Sequence, residues 1–164
     1  PMDWVVIPIQ SAISLMENNF EDHLSYENLI FNDVDYRKLF SGDDDSIVES
    51  RTMITPVICK KYQILYPHDF SENGVADLVM VQEKYHRRIN RMFEYMKNTE
   101  NRFIFIAVDS IPHEWQVIQY QKSEIKYYND FLGWKEKLKS VMDKNYPGLN
   151  YTMYELEEFK RISR

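Results

Sequence analysis

His68 and Asp69 are the residues of this chain whose types and setting best suit chemistry. They follow the β-prone run Ile64-Leu65-Tyr66 and then Pro67. Proline has no amide to give a sheet ladder, so a strand is predicted to stop at Pro67 with His68 at its tip. Reactive groups are commonly held where a rigid element gives way to a loop. His68 is thus a candidate general base, because imidazole titrates near neutrality. If the extended conformation continues, Asp69 points away from it. A second polar pair, Asp109-Ser110, follows the apolar run 103–108, and Asp109 is the better carboxylate to orient an imidazole. The competing reading has His68 closing a strand through a backbone hydrogen bond, with no chemistry.

A thiol partner is harder to find. Cys59 is the single cysteine and lies nine residues before His68. Full extension would separate the two by roughly 30 Å. Only a hairpin at Lys60-Lys61 would bring them close, and that pair lacks tight-turn residues. A buried structural cysteine is expected instead. Arg87, Arg88 and Arg91 fall on one predicted helix, where Arg87 follows Glu83 by one turn. Arg88 borders the apolar stripe and is the candidate for a part-buried ion pair or an anion contact. Asp3 and Trp4 read as a turn residue and a core aromatic, or as the wall of a binding pocket. His23, His86 and His113 have no metal-ligand spacing, and phosphate-cradling glycine loops and serine elbows are missing, so neither metal nor cofactor is expected.

The elements around these residues follow from periodicity. Ile9, Ala12, Ile13, Met16, Phe20 and Leu24 predict a helix capped by Ser11. Residues 26–40 lack clean periodicity, and 41–46 read as a solvated acidic loop. Strands are predicted over 51–59 and 61–66. The strongest helix spans 77–98, with Leu78, Val81, Tyr85, Ile89, Met92, Phe93 and Met96 on one face. A buried strand over 103–108, a strand over 115–120, a helix over 131–142 with Leu132, Leu138 and Met142 apolar, a strand over 149–153 and a helix over 154–162 complete a mixed α/β (α+β) order. The direction of the sheet is left open.

The totals narrow the class. With 164 residues, 44% hydrophobic and 28% charged, the chain is expected to form a single domain over 1–164. Its 12 Tyr, 9 Phe and 3 Trp against 4 Gly predict an aromatic core. A net charge of −6 argues against a nucleic-acid partner and a polybasic membrane anchor. One cysteine excludes an internal disulfide, so a reducing cytoplasm is the expected location. No apolar run reaches membrane-spanning length, and the N-terminus lacks signal-peptide regions.

Several of these stretches resemble one family. Pro1-Met-Asp-Trp4 is similar to the Pro-Phe-Asp-Trp signature of the bacterial and viral proteins catalogued as putative papain-like cysteine peptidases, a domain of unknown function. Phe20-Glu-Asp-His-Leu24 resembles that family's helix end, His68-Asp-Phe70 its His-Asp-Phe motif, and Tyr85–Phe93 its arginine-rich helix. Residues 103–108 resemble its next strand, and 131–138, with Trp134, its tryptophan segment. The resemblance implies a papain-like fold of a small sheet packed with helices. It also implies a thiol hydrolase or acyltransferase site with His68 as base and Asp109 as orienter. Asp3, Trp4, Asp69 and Arg88 become candidate binding residues for a peptide, acyl or glycan substrate. The family's nucleophilic cysteine precedes the Pro-Asp-Trp signature, so this chain is expected to lack an upstream segment or to be catalytically degenerate. The alternative is a non-catalytic binding module, or an accessory protein in surface-glycan assembly, as the association of family members with glycan gene clusters suggests.

Overall fold

The structure, a computed structural model, describes residues 7–31, 54–71, 74–109 and 130–163. Asp3, Trp4, the predicted loop at 41–46 and the predicted strand at 115–120 lie outside those residues. The apolar stripe forms α1 over Ile9–Glu17, which ends earlier than its spacing suggests. Asn19 turns left-handed at φ 50°, and the Phe20 N–H donates to the Leu15 carbonyl at 2.8 Å. The Asn19 N–H donates to the Met16 carbonyl at 3.4 Å, completing a Schellman turn. Phe20 and Leu24 are buried all the same, reaching the core from this turn rather than from the helix. Ser11 is no cap. Pro8 holds the N-cap position, and Ser11 is buried inside the helix.

An antiparallel sheet of β1 (Leu29–Phe31), β2 (Ile54–Cys59) and β3 (Ile64–Ser71) follows, in that spatial order. β1 is three residues long, too short to show a period in the sequence. A hairpin does close between β2 and β3, pairing Cys59 with Ile64. Its turn chemistry lies at Gln63, whose φ of 51° supplies the left-handed residue that Lys60-Lys61 lacks.

The predicted stop at Pro67 is corrected, because β3 runs on to Ser71. Val57 pairs with Tyr66 and Thr55 with Phe70, which leaves Pro56 alone opposite residues 67–69. Among the described strands β3 lies at the sheet edge, and its ladder with β2 is open at this bulge. Two residues without amide hydrogens therefore meet where no ladder bond is required.

A short turn over Gly74–Asp77 leads into α2 (Leu78–Lys97). Its buried residues are Val81, Tyr85, Ile89 and Met96, with Leu78, Met92 and Phe93 packed beside them, as the periodicity predicts. β4 (Arg102–Ala107) and β5 (Asn150–Glu155) pair in parallel, and α3 (Trp134–Asn145) lies in the crossover that parallel strands need. β4 is not buried throughout. Phe103 and Phe105 pack against the core while Ile104 and Ile106 on the alternate face are exposed. α3 starts at Trp134 rather than 131, because Gly133 takes φ 65° just before it. Leu132 therefore precedes the helix and is exposed, while Leu138 and Met142 are buried as predicted. α4 (Leu156–Ile162) begins where β5 ends and carries a capping box between Glu155 and Glu158. The class is mixed α+β, with four helices and two small sheets among the described residues.

Aromatic rings join these layers. Phe31, Phe70, Tyr66, Tyr85, His23, Phe20, Phe93 and Tyr146 form one chain of neighbours, with centroids 5.4 to 6.3 Å apart. All but the last contact are edge-to-face, the arrangement that ring quadrupoles favour. No helix among the described residues is long and apolar enough to cross a membrane.

Candidate functional site

The β3 bulge turns two adjacent polar residues in different directions. His68 is exposed, while the Asp69 side chain is only 5% exposed and faces α2. There the Tyr85 hydroxyl donates to Asp69 Oδ2 at 2.7 Å, and the Lys84 ammonium pairs with Oδ1. An isolated buried carboxylate would be strongly disfavoured, so both donors are needed to keep it there. Tyr85 is available because the apolar stripe of α2 buries its ring and leaves its polar tip at the sheet. Beyond the bulge, the Asp77 carboxylate accepts from the Ser71 N–H and hydroxyl, both at 2.6 Å. β3 is thus tied just after His68, at Asp69 to α2 and at Ser71 to the turn that precedes it, which steadies the backbone that presents the imidazole.

The other predicted residues are distributed more widely. Asp109 is exposed two residues past the end of β4, whereas His68 lies within β3 of the other sheet. No hydrogen bond or ion pair among the described residues joins those two. Arg88 is half-buried with its guanidinium 5.8 Å from the Tyr85 ring centre, which links it to the Asp69 cluster. Asp3 and Trp4 lie outside the described residues. Cys59 is fully buried, and burial pushes its thiol up from the usual range despite the Tyr62 and Lys61 N–H groups beside it. Its pairing with Ile64 at the hairpin end sets it four residues of β3 away from His68. The hairpin exists, and it does not assemble a thiol–imidazole pair.

His23 is the residue that sequence reasoning passed over. Its Nδ1 lies 2.7 Å from the Phe20 carbonyl oxygen, which can only accept, so Nδ1 carries the proton. Nε2 is then a lone-pair acceptor, buried with no hydrogen-bond partner among the described residues. Burial lowers the His23 pKa; the Phe20 carbonyl opposes that shift and the nearby His86 adds to it. Nothing in the local spacing announces this, because the ring is placed by left-handed residues at Phe20 and Asp22. Tyr66 beside it is pushed well above the usual phenol range, first by burial and then by neighbouring negative charge. Among the described residues no three His, Cys, Asp or Glu side chains converge as metal ligands.

Comparison with known proteins gives a match at the level of a family. The family described as putative papain-like cysteine peptidase, a domain of unknown function, matches residues 1–141. No curated protein and no solved structure matches the chain significantly.

Proposed function

The chain belongs to the putative papain-like cysteine peptidase family, and from that premise we propose that it carries the histidine side of a thiol-hydrolase or acyl-transfer site. His68 is the base, acting on a cysteine other than Cys59. The observation that supports this reading is the bulge itself. It exposes His68 while the buried Asp69–Tyr85–Lys84 cluster fixes the backbone beneath it. Asp109 is the carboxylate proposed to orient the ring, and Asp69 acts through the backbone rather than on the imidazole. A fully buried Cys59 with a raised pKa is a poor nucleophile, since the thiolate is the reacting form. The thiol in this reading is one other than Cys59, and the substrate is a peptide or acyl group.

The test uses the protein made from the whole reading frame that contains this chain. Iodoacetamide labelling is followed by mass spectrometry at neutral pH. One thiol other than Cys59 should react fast, and His68→Ala should slow it about a hundredfold or more. A rate unchanged by His68→Ala overturns the assignment. The burial of Cys59 also favours a second reading, a non-catalytic binding module on the same fold. That reading predicts no fast-reacting thiol in the same experiment.

A further inference from the structure

Protein interiors pack as densely as organic crystals, with few voids larger than a water molecule. This chain keeps a cavity of about 230 Å³ where α1, α2, α3 and β4 meet. The 13 described residues that line it are all uncharged, Ala12 and Met16 of α1 and Met92 of α2 among them. Trp134, the first residue of α3, supplies the only nitrogen or oxygen atom in their side chains. Ile106 lines the cavity and is also 41% exposed, so the cavity reaches the surface beside β4. No described residue of the sheet that carries His68 takes part in its wall.

The indole shows what chemistry such a cavity suits. Trp134 is 3% exposed, and its Nε1 is buried with no hydrogen-bond partner among the described residues. The Phe131 ring is tilted against it at 6.1 Å between centroids, and the Lys135 ammonium stands 5.8 Å from the ring centre. A buried donor left unpaired is costly, and native structures pair nearly all of them. An indole N–H only donates, so the group that complements it is an acceptor. No cation lines the cavity among the described residues, so a carboxylate there would be buried without a counter-charge. A neutral carbonyl carries no such penalty. An apolar cavity of about 150 Å³ binds benzene, so by proportion this one has room for roughly nine non-hydrogen atoms. Met16 and Met92, unbranched and soft, let the wall adapt to the shape of its occupant.

We propose that this cavity binds a small, neutral, mainly hydrocarbon molecule whose one carbonyl oxygen accepts from Trp134 Nε1. The site is separate from His68 and stands whether or not that residue is catalytic, because its readout is binding and not thiol reactivity. Isothermal titration with octan-2-one and with ethylbenzene, a hydrocarbon of similar size, tests it. Saturable binding of octan-2-one is expected. Ala12→Leu puts added side-chain volume into the cavity and should weaken that binding about tenfold or more. Filling unoccupied space should also leave the ligand-free variant at least as resistant to thermal unfolding as wild type. Trp134→Phe keeps a ring and removes the donor. It should weaken octan-2-one about fivefold more than it weakens ethylbenzene, the loss expected for one hydrogen bond. Non-saturable heats, or equal affinity of wild type and Ala12→Leu, would overturn the proposal. So would a lower unfolding temperature of ligand-free Ala12→Leu, which would mean that protein atoms already fill the space in solution. Equal effects of Trp134→Phe on the two ligands would overturn it as well, because the indole would then recognise no carbonyl.

Discussion

Asp69 is a charge held at a sheet–helix junction, and its position depends on two donors from consecutive residues of α2. The Tyr85 hydroxyl is the shielded one, since Tyr85 is 1% exposed while the Lys84 side chain is 31% exposed. Tyr85→Phe keeps the ring in the aromatic chain and removes one hydrogen bond to an almost fully buried carboxylate. Hydrogen bonds to charged groups contribute about 1.5–3 kcal/mol, so the variant should lose roughly that much stability in urea unfolding. A loss of less than about 0.5 kcal/mol would mean that water reaches Asp69 and replaces the phenol, leaving the platform under His68 without its lock. The same residue explains why the site was partly legible. The alternation of a strand predicts that Asp69 and His68 diverge, and they do. The phenol that receives Asp69 is hidden in an apolar stripe, where Tyr85 reads simply as core.

At the scale of elements, long periodic segments were readable and their ends were not. The α2 face is recovered residue by residue because seven apolar positions repeat over five turns. α1 stops early because Asn19 can take the left-handed conformation, a property that hydrophobic spacing does not encode. β3 continues through Pro67 because Pro56 lies opposite on β2, a pairing that local sequence cannot reveal. α3 starts late for a related reason. Gly133 precedes it at φ 65°, and a β-carbon there would meet nothing closer than Glu136 Oε2 at 3.9 Å. Space is available and backbone geometry is the obstacle. Gly133→Ala should therefore cost about 1–2 kcal/mol in thermal or urea unfolding, without the larger losses that a steric clash would bring. A neutral result would show that residues 130–133 re-form around the alanine and that α3 does not depend on this entry turn.

For the whole molecule, the aromatic chain is the structure that joins the three-stranded sheet to the helices, and His23 is its one titratable ring in the physiological range. His23 packs edge-on against Tyr85 on one side and Phe20 on the other, with His86 the nearby charge that opposes its protonation. Burial holds its folded-state pKa below the ordinary value of 6.5. Between that lowered value and 6.5 the unfolded chain binds more protons than the folded one, so stability rises with pH across this window. The contribution is complete above the unfolded value and is lost as pH falls through the folded one. His23→Phe keeps a ring in the chain, removes the bond to the Phe20 carbonyl and cannot titrate. At about pH 7.5 the variant should be less stable than wild type by about 1 kcal/mol. At about pH 5 the unfolded chain protonates His23 more readily than the folded protein does, so the gap between the two proteins should narrow or reverse. Urea unfolding of both proteins at both pH values isolates this effect, because the carboxylates shared by the pair cancel in the difference. A gap that stays constant would mean that His23 titrates in the fold as it does in the unfolded chain, and that the aromatic chain is not sealed at its centre.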